Sequence, residues 1–239
     1  MKTLGVIGGI GPLATAYFME LLVNITEADG DQGHIDAIIY SRPSIPDRTS
    51  YILKKSDESP VNMMVDTGIK LQEQGASFIA IPCITAHSFY DEIAKEIEVP
   101  IINALEELAI YLKDRKIKRA GIFATDGTLY SKCLERTLEA YGIEVILPSE
   151  KSQSYIMEII YKNIKSGKNI DKDKFEYIKE DMDREKAEVV ILGCSELSLL
   201  KKNKVIGAGF IDPMEVLAKR AIELCGGEVK EEFKSLITK

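Results

Sequence analysis

The stretch LGVIGGIGPLATAYFMELL (residues 4–22) predicts a buried strand, a glycine-containing turn and a helix, in that order. The short apolar run LGVIG comes first, and the residues after the turn have the pattern of an amphipathic helix. The stretch AGIFATDGTLYSKCLERTL (residues 120–138) repeats the order of strand, turn, hydroxyl residues and helix. This repetition predicts a chain built from two similar lobes.

Short strand-like runs alternate with amphipathic helical stretches along the whole chain, which is typical of α/β folds with parallel sheets and helices on both faces. We expect two pseudo-symmetric lobes, the first formed by residues 1–103 plus 208–239 and the second by 104–207. Ligands of open α/β sheets bind beyond the carboxyl ends of the strands, so the active site is expected in the cleft between the lobes. The predicted strands are 4–8, 37–40, 78–82, 100–102, 120–124, 143–147, 188–192 and 206–211. The predicted helices are 13–28, 60–74, 86–95, 103–114, 128–141, 152–165, 171–185, 195–201 and 213–225.

Composition narrows the class of protein. With 45% hydrophobic and 29% charged residues, the 239-residue chain can bury a sizeable core, so we expect a folded protein. The net charge is -7 and no basic stripe is present, which argues against nucleic acid as a partner. No apolar run approaches the roughly 18 residues of a membrane span, and MKTLGVIGG lacks the layout of a signal peptide. We expect a cytoplasmic protein whose four cysteines are reduced.

Two cysteines occupy matching places. In IAIPCITAH (residues 79–87) and VVILGCSEL (residues 189–197), an apolar strand and a turn-forming residue precede a cysteine at a helix start. A free thiol has a pKa of about 8.5, and a helix N-terminus lowers that pKa by stabilising the thiolate. Across one cleft, Cys83 and Cys194 as thiolate and thiol suit moving a proton from one face of a carbon to the other. Buried structural thiols are the alternative interpretation, which we apply to Cys133 and Cys225.

The chain resembles the aspartate/glutamate racemases, enzymes without pyridoxal phosphate that use two cysteines. The resemblance implies two α/β lobes, a homodimer, no cofactor, and racemisation of aspartate or, next, glutamate, with Cys83 and Cys194 as the catalytic pair. It covers nearly the whole chain through motifs in the family's order: GGIGPLAT (8–15), IPDRT (45–49), PCITAH (82–87), ATDGT (124–128), IKSGK (164–168) and GCSEL (193–197).

The resemblance also implies how the substrate is bound. Arg48 and Lys165 match basic residues near the acidic side chain of the substrate, and an arginine fork suits a carboxylate. The hydroxyl residues that match positions hydrogen-bonding the substrate's carboxylate and ammonium groups are Thr85, Thr125, Thr128 and Ser195. Supporting roles are expected for His87, Glu196, Gly9 and Gly11.

Two positions depart from the family pattern. Ile84 stands where the family usually has Asn, which removes an amide from a substrate-binding position and puts the identity of the substrate in question. Ser195 stands where the family commonly has Thr and keeps the hydroxyl. Both cysteines are retained, so racemisation remains the expected chemistry.

A metal site fits the sequence less well. Cys83 and His87 are four residues apart, and Cys194 could add a third metal ligand, but a structural zinc site needs four ligands and the chain has only His34 and His87. We expect no metal.

The turn Gly9-x-Gly11-x-x-Ala14 resembles a dinucleotide fingerprint, yet the acid expected after the second strand is replaced by Ser41 and Arg42. We instead expect these glycines to let the backbone approach a small substrate, with N–H groups of the helix start holding a carboxylate.

Two functions from other classes stay open. A two-lobed sensor would bind an amino acid without turnover. A related isomerase or lyase would act on a dicarboxylate that has no amino group. In every case the partner is a small molecule rather than a nucleic acid or a membrane.

Overall fold

The computed structural model describes residues 1–203 and 206–239. Its strands are β1 (Leu4–Gly8), β2 (Thr26–Glu27), β3 (Ala37–Ser41), β4 (Phe78–Ala80), β5 (Arg119–Ala124), β6 (Glu144–Ile146), β7 (Val189–Gly193), β8 (Phe210–Ile211) and β9 (Glu228–Val229). Its α-helices are α1 (Pro12–Ile25), α2 (Arg48–Ile52), α3 (Val61–Glu73), α4 (Tyr90–Ala94), α5 (Ala104–Asp114), α6 (Asp126–Ser131), α7 (Cys133–Ala140), α8 (Glu150–Glu158), α9 (Lys172–Arg184), α10 (Ser198–Lys202) and α11 (Pro213–Cys225). A π-helix spans Ile159–Asn163, and short 3₁₀ helices span Asp31–Gly33, Ile84–Phe89, Ile164–Ser166 and Glu231–Lys234.

Two parallel sheets form the framework, as the alternation of strands and helices predicts. The first has the strand order β3-β1-β4 and the second has the order β6-β5-β7-β8. Parallel neighbours end at the same edge of a sheet. The turns after β1 and β4 therefore lie at one edge of the first sheet, and the turns after β5 and β7 lie at one edge of the second. A two-residue antiparallel pair, β2 with β9, is absent from the predicted strands.

Strand β1, in the middle of the first sheet, is buried on both faces, and its successive side chains enter different cores. Val6 belongs to a large core that also contains Phe18 of α1 and Phe123 of β5. Ile7 belongs to a separate core with Met64 of α3. Helix α11 packs against both α1 and α5, so one continuous core joins the two sheets.

The expected lobe boundary is wrong for one strand. The sequence pattern places residues 208–239 in the first lobe, but Phe210 and Ile211 pair with Val190 and Ile191 and so extend the second sheet. The predicted strand 206–211 shortens to these two residues, and residues 204–205, next to it, lie outside the described chain.

Several predicted helices are divided or shifted. The helix predicted over 128–141 is split at Lys132, whose left-handed backbone (φ 56°) interrupts the helical hydrogen bonds between α6 and α7. The helix predicted over 195–201 begins only at Ser198. Among the described residues, no helix has the combined length and apolarity needed to cross a membrane.

Candidate active site

One pocket between the two sheets brings the two motif cysteines together. Cys83 follows β4 of the first sheet, Cys194 follows β7 of the second, and both line a pocket with about 300 Å³ of space free of protein atoms. The other residues that line it are Ile10, Asp47, Arg48, Thr49, Ile84, Thr85, Thr125, Tyr161, Lys165, Ser195 and Glu196. The pocket is therefore built from both halves of the chain.

A cation lies on the Cys83 side of the pocket. Arg48 is the first residue of α2, which the Asp47 carboxylate caps by accepting from Ser50 N–H at 2.8 Å. The guanidinium is buried and donates to the Pro46 carbonyl at 3.1 Å, while its Nε has no hydrogen-bond partner among the described residues. Burial lowers the pKa of Arg48, but the neighbouring Cys83 sulfur and Asp47 carboxylate outweigh it, so the net pKa is raised.

A carboxylate lies on the Cys194 side. The Cys194 thiol donates to Glu196 Oε2 at 2.9 Å, and Ser195 Oγ donates to the same oxygen at 3.4 Å. Burial raises the pKa of Cys194 well above its ordinary value, and the negative charge and hydrogen bond of Glu196 raise it further. The expected lowering of this pKa by a helix N-terminus is therefore wrong, because α10 begins only at Ser198 and the carboxylate is nearer.

Lys165 reaches the pocket from an irregular segment. A π-helix over Ile159–Asn163 precedes the 3₁₀ turn that carries Lys165, whose Nζ lies 3.7 Å from Glu196 Oε1 and 4.3 Å from the centre of the Tyr161 ring. Burial lowers the pKa of Lys165, but Glu196 and the other nearby acidic groups outweigh it, so the net pKa is raised. The lysine is therefore a cation at the edge of the pocket.

Four threonine hydroxyls form a buried cluster where α2 meets α6. Thr49 donates to Thr125 at 3.2 Å, and Thr85 lies 2.8 Å from Thr128 and 3.3 Å from Thr125. Thr85 and Thr125 line the pocket, whereas Thr128 lies behind its wall and contacts both of them. Thr85 and Thr125 therefore face the pocket, and the Thr128 hydroxyl lies within hydrogen-bond distance of both.

The predicted supporting residues lie around the pocket wall. His87 Nδ1 donates to the Cys83 carbonyl at 3.0 Å and its Nε2 accepts from Ala104 N–H at 3.1 Å, so both ring nitrogens are used by the backbone. Burial lowers the pKa of His87, which favours the neutral ring. The His87 ring therefore holds the segment after Cys83 in place.

The glycine turn after β1 is crowded at both glycines. Gly9 has a positive φ of 86°, and a Cβ there would lie 2.3 Å from the Arg42 backbone nitrogen. A Cβ on Gly11 would lie 3.1 Å from Glu196 Oε1. Gly11 therefore leaves room for the carboxylate that accepts from Cys194.

No group of three or more His, Cys, Asp or Glu side chains within residues 1–203 and 206–239 could hold a metal ion. The sequence spacing raised Cys83 and His87 as metal ligands. Both imidazole nitrogens of His87 are instead hydrogen-bonded to the backbone.

Comparison with known proteins identifies the family. The model of the Asp/Glu/Hydantoin racemase family matches residues 7–221. The chain belongs to this family. The structure of an aspartate racemase from Picrophilus torridus is similar with a TM-score of 0.86 and 30% identity over 98% of each chain.

Two further relatives have lower sequence identity. An aspartate racemase homologue from Pyrococcus horikoshii OT3 is similar with a TM-score of 0.76 and 25% identity, over 94% of this chain and 99% of that chain. The broad specificity amino-acid racemase RacX of Bacillus subtilis (strain 168) is 25% identical over 226 residues, which are 92% of this chain and 96% of that protein. The expected family and its α/β fold with two lobes are confirmed.

The family motifs contain every residue that lines the pocket except Tyr161. The lining residues that were not singled out from the sequence are Ile10, Asp47, Thr49 and Tyr161. Asp47 and Thr49 flank Arg48 in IPDRT, so this motif could have indicated both residues as part of the site. Tyr161 lies in a stretch with a helical pattern, and nothing in that pattern indicates the π-helix that carries it.

Proposed function

We propose that the protein is an amino-acid racemase that needs no pyridoxal phosphate and uses Cys83 and Cys194 as its two bases. The observation that carries the proposal is that these sulfurs, from different halves of the chain, line one small pocket. Aspartate is the proposed first substrate and glutamate the second. A homodimer and a cytoplasmic location complete the proposal.

The two sulfurs have neighbours of opposite charge. The Arg48 cation lies beside Cys83, and the Cys194 thiol donates to the Glu196 carboxylate. A two-base mechanism needs one sulfur as the thiolate and the other as the thiol, and in one direction of the reaction Cys83 is the base. The thiolate of Cys83 removes the proton from Cα of the bound amino acid, leaving a carbanion stabilised by the substrate's carboxylate. The Cys194 thiol then delivers its proton to the opposite face. One proton is taken and one is given, so the configuration inverts and the two thiols exchange roles.

The rest of the pocket provides groups for an acidic amino acid. The Arg48 guanidinium and the Lys165 ammonium line the pocket and are donors for the side-chain carboxylate. The hydroxyls of Thr85, Thr125 and Ser195 are within the same pocket and suit the α-carboxylate and ammonium groups. Racemisation requires these contacts to hold Cα still while its substituents invert.

The test is proton exchange at Cα in deuterated buffer. The purified protein, incubated with L-aspartate, is expected to incorporate deuterium at Cα and to form D-aspartate, followed by NMR and chiral chromatography. Cys83→Ala and Cys194→Ala should each lose racemisation by about three orders of magnitude or more, because each removes one of the two proton-transfer groups. One of the variants is expected to keep exchange on a single enantiomer.

Cys225→Ala is the matched control, since Cys225 is also buried but lies in α11 and does not line the pocket. It should racemise aspartate at the wild-type rate. Full activity in Cys83→Ala or Cys194→Ala would contradict the two-base mechanism. Ligand binding without exchange in the wild type would instead indicate a sensor.

A further inference from the structure

A larger chamber adjoins the pocket that contains the two cysteines. It has about 580 Å³ of space free of protein atoms, against about 300 Å³ for the inner pocket. Lys165 and Glu196 line both spaces, so these two side chains form the partition between them. Apart from this pair, the outer chamber is lined by Gly11, Pro12, Leu13, Ala14, Ile164 and Leu199.

The partition is loosely closed. Lys165 Nζ and Glu196 Oε1 are 3.7 Å apart, which is beyond hydrogen-bond distance, so no directional bond locks the pair. Glu196 is held from the other side by the Cys194 thiol, and the Lys165 ammonium also lies over the Tyr161 ring. Displacing the flexible lysine side chain toward that ring would connect the two spaces while Glu196 stays in place.

The outer chamber has a mainly apolar wall, and the otherwise polar inner pocket contributes two isoleucines. Ile10 and Ile84 line the inner pocket, and Leu13, Ile164 and Leu199 line the outer chamber. An unbranched apolar side chain that passes Lys165 would move from water into contact with these residues. Each methylene buried in this way is worth roughly a fourfold gain in affinity.

We infer that the outer chamber is a side-chain subsite, and that the protein acts on amino acids with unbranched apolar side chains as well as on acidic ones. This inference rests on the proposed racemase function. The acidic substrates are held at the partition by Arg48 and Lys165, whereas the longer neutral side chains extend past it.

A series of amino acids of increasing chain length tests the inference. Cα deuterium exchange is measured with L-aspartate and with the L-forms of 2-aminobutyrate, norvaline and norleucine. For the wild type, kcat/KM is expected to rise roughly fourfold per methylene along the neutral series. Leu13→Gln should flatten this rise, because it places a polar group in the chamber wall.

Leu13 is 60% exposed near the start of α1, so its replacement by Gln is compatible with folding. Met19→Gln is the matched control, since Met19 is 41% exposed on the same helix and does not line the chamber. It should keep the wild-type dependence on chain length.

Exchange with aspartate but none with norleucine would overturn the inference and leave the proposed function intact. The inference would fail in the same way if Leu13→Gln and the wild type showed equal dependence on chain length. Absence of exchange with every amino acid in the series would overturn both proposals together.

Discussion

At the scale of single residues, the two sulfurs of the pocket have opposite electrostatic surroundings. Arg48 places a buried positive charge beside Cys83, while Glu196 accepts the proton of the Cys194 thiol at 2.9 Å. Both cysteines are buried, so bulk water screens neither the Arg48 charge beside Cys83 nor the Glu196 charge beside Cys194. The carboxylate of Glu196 therefore controls how readily Cys194 becomes a thiolate.

Replacing Glu196 by Gln should lower the pKa of Cys194. Burial and the Glu196 carboxylate both raise this pKa, and the variant removes the negative charge and the charged acceptor but keeps the burial. Because the thiolate reacts with iodoacetamide, the pH profile of Cys194 alkylation should shift to lower pH. The modified peptide is quantified by mass spectrometry.

Glu196→Asp serves as the control, because it keeps a negative charge beside the thiol. Its alkylation profile should stay nearer to that of the wild type than the profile of Glu196→Gln. Identical profiles for the wild type and Glu196→Gln would show that the carboxylate has no influence on the thiol.

At the scale of elements, α2 of one lobe packs closely on α6 of the other. Gly127 makes this approach possible, since a Cβ there would lie 2.8 Å from Thr49 Cα, which is a backbone atom and cannot turn aside. The close approach lets the hydroxyls of Thr49, Thr85 and Thr125 bond across the boundary. The absence of a Cβ at Gly127 therefore allows α2 and α6 to pack closely beside the pocket.

Gly127→Ala should separate α2 from α6 and lower both stability and activity. Overpacking a close contact costs about 1–3 kcal/mol, and the hydroxyl cluster would lose its spacing at the same time. Urea unfolding measures the loss of stability, and kcat/KM for aspartate measures the change in the pocket. Gly30→Ala is the control, because a Cβ on Gly30 meets its nearest atom at 3.7 Å. Equal stability and activity in the two variants would contradict this account.

At the scale of the whole molecule, a buried group of charges joins α10, α11 and the C-terminal segment. Asp212 caps α11 by accepting from Met214 N–H at 2.9 Å, and it also accepts from Ser198 Oγ at 2.8 Å. Lys201 donates to Glu215 at 2.6 Å and to the Leu236 carbonyl at 2.7 Å. The Lys201 ammonium thus pairs directly with Glu215, and its charge also acts on the buried Asp212 carboxyl group. Helix α10 directly follows the segment that carries Cys194.

Glu215 should make the stability of the whole protein depend on pH. Burial and the Asp212 charge outweigh Lys201 and raise the pKa of Glu215 from its ordinary 4.5 to about 7. Between these values the folded protein binds more protons than the unfolded chain, so the free energy of unfolding falls as the pH rises. Glu215→Gln removes this contribution, so its stability relative to the wild type should improve by about 2 kcal/mol from pH 5 to pH 7.5.

Urea unfolding at a series of pH values measures the effect. Glu223→Gln, an exposed position on the same helix, provides the control and should run parallel to the wild type. A constant stability difference between Glu215→Gln and the wild type over this range would contradict the assignment.

The site residues that follow regular strands could be predicted from the sequence, whereas those in irregular segments could not. Cys83 and Cys194 follow buried strands, and the ends of parallel strands are readily placed in a common cleft. Tyr161 was missed because a π-helix changes the residues per turn within an apparently regular helical stretch. The raised pKa of Cys194 was missed because a helix was expected from residue 195, whereas Glu196 lies in a turn and folds back toward the thiol.

The contrast between the cation beside one sulfur and the carboxylate beside the other also constrains the kinetics of a racemase. Mirror-image amino acids have equal free energies in water, so at equilibrium their concentrations are equal and kcat/KM must be the same in both directions. The different surroundings of Cys83 and Cys194 can therefore make kcat differ between the enantiomers only if KM differs as well. The enantiomer with the higher kcat must have the higher KM, by the same factor.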